Sequence, residues 1–185
     1  MDYEIDHVLE VVTQRLPEAG VDAIMIGGHA VNSYGVLRAT QDIDFMIAAA
    51  QEDVVRRIMR DTGFTNMAIH ETVMFFKRPE STLRIDFLKV DQDTMDKLLA
   101  NSREVDYFSG HVMRIPQLKD LLAMKIFALV SGGTKREEKD FPDIVNLTME
   151  NNLDLEADLH PLCRQFGSEQ IFERVSTRIR ELTDD

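Results

Sequence analysis

The chain has 185 residues, an apolar share of 44% and a formal net charge of −12 at pH 7. This length and composition suit one globular domain, or a small catalytic domain with a helical extension. The negative charge disfavours non-specific binding to duplex nucleic acid, which basic surfaces usually mediate, and it is compatible with a cationic small-molecule substrate.

Cysteine content and hydropathy indicate the compartment. Cys163 is the only cysteine, so an internal disulfide is excluded and a reducing compartment is favoured. The N-terminus is acidic and lacks the basic-then-apolar layout of a signal peptide. The longest strongly apolar run, at residues 121–130, contains Lys125 and is too short to span a bilayer. We therefore expect a soluble, cytoplasmic protein that does not contact a membrane.

The first part of the chain mixes helix and strand patterns. Apolar residues at helical spacing predict a helix from Ile5 to Leu16 that ends near Pro17. Short apolar runs predict strands at residues 21–26 and 42–47, with a short helix at residues 29–34 between them. The following elements are predicted as a helix at residues 51–61, strands at 64–70, 73–78 and 83–90, a helix at 94–100, and one or two strands between 105 and 115.

From Pro116 onward the pattern is helical. Helices are predicted at residues 118–130, 143–150, 155–166 and 169–182. The predicted fold class is therefore α/β (α+β), with a small mixed-sheet core at residues 1–115. A helical region at residues 116–185 follows and packs on this core.

Gly27-Gly28 lies between a predicted strand and a predicted helix. Glycines at such a position allow the backbone to approach a ligand closely, and free N–H groups at a helix N-terminus attract phosphate. The same pair is also compatible with an ordinary tight turn.

The segment Asp42-Ile43-Asp44-Phe45 places two carboxylates on one face of a predicted strand, because residues two apart share a face. Carboxylates this close repel each other unless a cation lies between them, and Mg²⁺ prefers such oxygen ligands. Acidic pairs two apart also occur by chance in so acidic a chain, for example Asp91/Asp93. That pair lies in a polar context, whereas Asp42 and Asp44 lie in an apolar strand.

Asp86 interrupts another apolar strand, with Ile85 and Phe87 on the opposite face. Two interpretations are open for this carboxylate. It is either a third metal ligand or the partner of Arg84, which shares its face of the strand.

Gly27-Gly28, thirteen intervening residues, Asp42-Ile43-Asp44 and the later Asp86 together resemble the nucleotidyltransferase superfamily with the DNA polymerase β-like fold. The resemblance implies that the glycines hold a nucleoside triphosphate and that the three aspartates bind two Mg²⁺ ions. The string GGHAVNSYGVLRATQDIDF is similar to the AbiEii-type toxin branch, in which an Arg-x-Thr commonly precedes the aspartates. This similarity assigns nucleotide binding to Arg38 and Thr40.

The helical region adds residues that match the same branch. Lys125 lies on a leucine stripe and resembles a lysine that binds nucleotide, although a structural salt bridge or a snorkelling lysine explains it equally well. Asp140 and Asp143 resemble a later motif in which an aspartate assists catalysis. Asp140 before Pro142 is also typical of a helix N-cap. His29 follows the glycines and is within reach of a triphosphate, but a buried, hydrogen-bonded histidine is the favoured interpretation.

The resemblance implies an enzyme with its catalytic core at residues 1–115, and three functions remain open. The first is a toxin-like enzyme that transfers nucleotides to RNA or protein and has an antitoxin partner. The second is an enzyme that modifies a cationic small molecule such as an aminoglycoside. The third is a nucleotide-binding regulatory protein without turnover.

Overall fold

The computed structural model describes residues 2–183, except for the side chains of residues 2–4, 66 and 135. The described chain divides into two compact units. Residues 2–30 and 39–116 form a mixed α/β unit, and residues 31–38 and 117–183 form a helical unit. The predicted fold class, a mixed sheet followed by helices, is confirmed.

A five-stranded sheet is the centre of the α/β unit. Its strands, in chain order, are β1 (Ile24–Ile26), β2 (Asp42–Ala48), β3 (Asn66–Ile69), β4 (Val73–Lys77) and β5 (Arg84–Val90). They are arranged in the order β1-β2-β5-β4-β3. Strands β2 and β5 are parallel, and every other pairing in this sheet is antiparallel.

Helices and a hairpin complete the α/β unit. The first helical segment runs as α1 (Asp2–Glu10), a π turn (Val11–Arg15) and a last turn (Leu16–Glu18). The remaining elements are α2 (Gly27–Asn32), which continues into residues of the helical unit, α3 (Glu52–Asp61), α4 (Gln92–Ala100), β6 (Ser102–Asp106) and β7 (Val112–Pro116). Helix α2 begins at Gly27, two residues before the predicted start, and β1 is shorter than predicted.

Strands β2 and β5 each have one apolar face that is buried in the core. Ile43, Phe45, Ile85 and Phe87 are inaccessible to solvent, and the rings of Phe45 and Phe87 stack with their centroids 5.5 Å apart. Burying a side chain of this kind contributes about 2 kcal/mol. Since side chains alternate along a strand, this burial directs the even-numbered residues of both strands to the opposite face.

The helical unit contains α5 (Leu118–Ser131), α6 (Gly133–Glu150), α7 (His160–Phe166), which follows a π turn (Leu155–Leu159), and α8 (Glu169–Thr183). Helix α5 packs against α6 and α7, and α8 packs against α6 and α7. Residues 31–38 join this unit; for example, Asn151 donates a hydrogen bond of 3.2 Å to the backbone oxygen of Tyr34. Within residues 2–183, no helix has both the length and the apolar composition to cross a bilayer.

Helix α6 corrects one prediction. Asp140 is not an N-cap, because α6 begins at Gly133 and continues through Pro142. A proline in a helix removes the hydrogen bond to the carbonyl four residues earlier, so Pro142 indicates a helix start in the sequence. Asp140 and Asp143, on either side of the proline, are both buried and both pair with Lys125.

Candidate active site

The glycine pair and the acidic strand meet directly. Ile26, the last residue of β1, pairs with Asp44 of β2, so the following residue, Gly27, lies beside the Asp44 carboxylate. Gly27 has a φ of +64°, and a Cβ built at this position would overlap the carboxylate group of Asp44. A glycine is therefore required here both for the backbone conformation and for the close approach of the acid.

Gly27→Ala should destabilise the protein more than Gly20→Ala. Gly20 has a similar φ of +74° and nothing within 4 Å of an added Cβ, so it reports the conformational cost alone, about 1–2 kcal/mol. At Gly27 the overlap with Asp44 should add about 1–3 kcal/mol. Urea unfolding of both variants measures the difference, and equal losses would mean that Asp44 is not held against Gly27.

Four charged side chains share the polar face of β2 and β5. The parallel register pairs Asp42 with Arg84 and Asp44 with Asp86. Neighbouring strands lie about 4.8 Å apart, so these pairs bring three carboxylates and one guanidinium into a single group. We call Asp42, Asp44, Arg84 and Asp86 the acid face. The structure thus brings together the three aspartates that the sequence singled out.

Arg84 links two of these carboxylates. Its Nη2 donates hydrogen bonds of 2.7 Å to Oδ2 of Asp42 and 2.9 Å to Oδ2 of Asp86, and its Nε donates one of 2.8 Å to Oδ1 of Asp86. The side chain of Asp86 is 11% exposed and that of Arg84 is 46% exposed. The pairing of Asp86 with Arg84, one of the two interpretations open from the sequence, is present in the structure.

The charges of the acid face act on one another. Burial raises the pKa of the Asp86 carboxyl, the hydrogen bond and charge of Arg84 partly lower it, and the charges of Asp44 and Asp42 raise it further, to about 6. Burial lowers the pKa of the Arg84 guanidinium, but its hydrogen bond to Asp86 and the three carboxylate charges outweigh this and raise that pKa. One guanidinium cannot neutralise three carboxylates, so the acid face carries excess negative charge.

The donor set fits a hard divalent cation. Three carboxylates on adjacent strands supply the oxygen ligands that Mg²⁺ prefers, and their excess negative charge favours a cation. Among the side chains that the structure describes, no group of three or more His, Cys, Asp or Glu is placed to hold a metal ion, and Asp42 and Asp86 are hydrogen-bonded to Arg84. Asp42, Asp44 and Asp86 are nevertheless the residues of the acid face that would hold one.

Two further polar residues flank the glycine pair and the acidic strand. The Thr40 hydroxyl donates a hydrogen bond of 3.2 Å to the backbone oxygen of Asp42, at the start of β2. His29, the third residue of α2, is hydrogen-bonded through Nδ1 to the Tyr107 hydroxyl, but it is half-buried and not buried as predicted. Burial raises the pKa of Tyr107. Tyr107 was not identified from the sequence because nothing local connects it to a residue 78 positions away.

The other candidate residues form a second cluster, within the helical unit. The Lys125 Nζ lies 2.8 Å from Oδ1 of Asp140 and 2.7 Å from Oδ2 of Asp143. Arg38 approaches Asp143 and Arg136 approaches Asp140, each at 3.4 Å. The side chains of Lys125, Asp140 and Asp143 are all at least nine-tenths buried. Lys125 is thus engaged in a buried salt bridge, one of the two structural interpretations open from the sequence.

The chain belongs to the family described as nucleotidyl transferase of unknown function (DUF2204), whose model matches residues 5–181. Among curated proteins, no sequence matches this chain.

Solved structures of nucleotidyltransferases share the fold. The lincosamide antibiotic adenylyltransferase LnuA, solved with lincomycin, is 17% identical with a TM-score of 0.56, over 80% of this chain and 96% of that one. The antibiotic-resistance factor ANT(2'')-Ia is 14% identical with a TM-score of 0.54, and the match covers 100% of this chain and 95% of that one. A CCA-adding enzyme in complex with ATP is 15% identical with a TM-score of 0.53, and the match covers 98% of this chain and 47% of that one. Identities this low establish the common fold.

Proposed function

We propose that the protein is a metal-dependent nucleotidyltransferase that transfers a nucleoside monophosphate from a nucleoside triphosphate to an acceptor hydroxyl and releases pyrophosphate. The observation that carries this proposal is the contact between the Gly27 backbone and the Asp44 carboxylate, with Asp86 opposite Asp44 on the next strand. Backbone suited to close approach by a phosphate thus lies directly beside carboxylates suited to a divalent cation.

Each residue of the site has a role in the proposal. Gly27 and Gly28 bind the triphosphate through their backbone, since neither carries a side chain that would block it. Asp42 and Asp44 would hold one Mg²⁺ ion, and all three aspartates would hold a second. When bound, such ions neutralise phosphate charge and lower the pKa of the acceptor hydroxyl. The acceptor oxygen bonds to the α-phosphorus as the bond to pyrophosphate breaks, and the hydroxyl proton leaves to solvent.

The remaining candidates have supporting roles. Thr40 fixes the start of β2 through its bond to the backbone of Asp42. Nucleotide binding by Thr40, Arg38 and Lys125, and assistance to catalysis by Asp140 or Asp143, rest on the resemblance to the AbiEii-type branch. In the helical unit Arg38 and Lys125 both have carboxylate partners, which favours a structural role for this cluster.

Two arguments bear on the acceptor. The resemblance to the AbiEii-type branch favours an RNA such as tRNA, or a protein, as acceptor, together with an antitoxin partner. The net charge of −12 favours a cationic small molecule of the aminoglycoside type. An enzyme that modifies lincosamides and an enzyme that adds CCA share this fold, so the fold alone is compatible with either acceptor class.

Transfer of label tests the proposal. The protein is incubated with each of the four α-labelled nucleoside triphosphates and Mg²⁺, in separate reactions with total RNA, cell protein and a panel of aminoglycosides. We expect label in one acceptor class, lost with EDTA and lost in the triple variant Asp42→Asn, Asp44→Asn, Asp86→Asn. Nucleotide binding without transfer to any acceptor would identify a binding protein instead. Undiminished transfer by the triple variant would contradict the site.

A further inference from the structure

The Arg84 guanidinium is bound to the atoms that the proposed metal ions need. Its three hydrogen bonds occupy Oδ2 of Asp42 and both carboxylate oxygens of Asp86. Two nitrogens of one guanidinium facing both oxygens of Asp86 form a bidentate, charge-assisted pair, which is the strongest common arrangement of these groups. The guanidinium carbon also lies 5.1 Å from the centre of the Phe75 ring, a cation–π contact on the neighbouring strand.

Arg84 and a divalent ion therefore compete for the acid face. A carboxylate oxygen that accepts one hydrogen bond keeps a second lone pair, but Mg²⁺ binds at about 2.1 Å in a regular octahedral geometry that a guanidinium in this position hinders. The two cations also repel each other at such a distance. Arg84 engages both oxygens of Asp86 but only Oδ2 of Asp42, so its competition with an ion is strongest at Asp86.

We infer that Arg84 is an internal counter-cation of the acid face, which stabilises the metal-free protein and lowers its affinity for free divalent ions. This inference rests on the proposed metal-dependent function. Its basis is the placement of a single guanidinium across two of the three proposed metal ligands, together with Asp44 beside them.

The position of Arg84 also allows its side chain to move away from the acid face. Arg84 is the first residue of β5, and its side chain is 46% exposed, so the guanidinium can turn towards solvent without unfolding the strand. Once displaced, it is either hydrated or paired with another anion, such as the triphosphate of a bound nucleotide.

Metal affinity in the absence of nucleotide tests the inference. Mn²⁺ serves as the probe, measured by titration calorimetry on wild type and Arg84→Gln, with melting temperatures recorded with and without the ion. We expect Arg84→Gln to bind Mn²⁺ about tenfold more tightly than wild type, because one competing cation is removed. The variant should also melt at a lower temperature than wild type without metal, and gain more on addition of Mn²⁺.

Two variants control the experiment. Arg114→Gln removes the same charge from the same unit, where Arg114 pairs with exposed Glu104 at 2.9 Å, and should leave Mn²⁺ affinity unchanged. Arg84→Lys keeps the charge but lacks the planar fork, so its affinity should fall between wild type and Arg84→Gln, and it serves if Arg84→Gln does not fold. Equal or weaker Mn²⁺ binding by the Arg84 variants would overturn this inference alone. Failure of every variant to bind Mn²⁺ at millimolar concentration would overturn the proposed metal site as well.

Discussion

Asp86→Asn should lower the rate of nucleotide transfer about a thousandfold while nucleotide affinity changes no more than a few-fold. In the proposed site Asp86 is a ligand only of the ion that activates the acceptor, whereas Asp42 and Asp44 also hold the ion that accompanies the triphosphate. Removing an interaction made chiefly in the transition state reduces kcat rather than binding. A thousandfold loss corresponds to about 4 kcal/mol of transition-state stabilisation.

The measurement must separate chemistry from stability, because Asp86 also accepts two hydrogen bonds from Arg84. Transfer rate, nucleotide affinity and melting temperature are therefore measured on one preparation of each variant. Glu104→Gln is the matched control: it removes a carboxylate from the same unit, where Glu104 pairs with Arg114 at an exposed position. Its transfer rate should equal that of wild type. An Asp86→Asn protein that melts early but transfers nucleotide normally per folded molecule would assign Asp86 to Arg84 alone.

The strands of the acid face could be predicted because their signal is local. Apolar residues at alternate positions of β2 and β5 indicate strands with one buried face, and the structure buries Ile43, Phe45, Ile85 and Phe87 as this pattern requires. The direction and register of the two strands could not be predicted. Residues 49–83, which include β3 and β4, separate them in the chain, yet β2 and β5 are parallel neighbours in the sheet.

The start of α6, in contrast, has no local signal in the sequence. Residues 133–139 are mostly polar, so they show no apolar stripe, and Pro142 is a strong local signal for a helix start. Asp140 and Asp143, on either side of the proline, form ion pairs with Lys125, which lies on another helix. Similarly, residues 31–38 belong to the helical unit because of contacts such as that of Arg38 with Asp143, which are remote in sequence.

Candidate residues were recognised by type and spacing, whereas their partners were not. The shared face of Asp42 and Asp44 follows from strand periodicity alone. Arg84 was identified as a partner for Asp86 because both lie on one strand, but its bond to Asp42 depends on the pairing of β2 with β5. Ion-pair partners on different strands can therefore be assigned only when it is known which strands are neighbours in the sheet.

Lys125→Met should destabilise the helical unit by about 3 kcal/mol. The side chain of Lys125 is 9% exposed and neutralises two carboxylates that are almost completely buried. Removing one partner of a buried ion pair leaves uncompensated charge and costs about 3–5 kcal/mol. The lower end is expected here, because Arg136 and Arg38 lie 3.4 Å from Asp140 and Asp143 and retain part of the compensation. Urea unfolding followed by circular dichroism measures the loss.

Lys119→Met is the matched control for this prediction. Lys119 lies on the same helix and also pairs with an aspartate, Asp158, at 2.8 Å, but its side chain is 60% exposed. Exposed ion pairs contribute about 0–1 kcal/mol, so a loss of at least about 2 kcal/mol more at Lys125 would be due to burial. Nucleotide affinity measured on the folded Lys125→Met protein separates the two roles of this lysine. Stability close to that of wild type, together with lost nucleotide affinity, would show that Lys125 binds nucleotide and that its ion pairs contribute little to the fold.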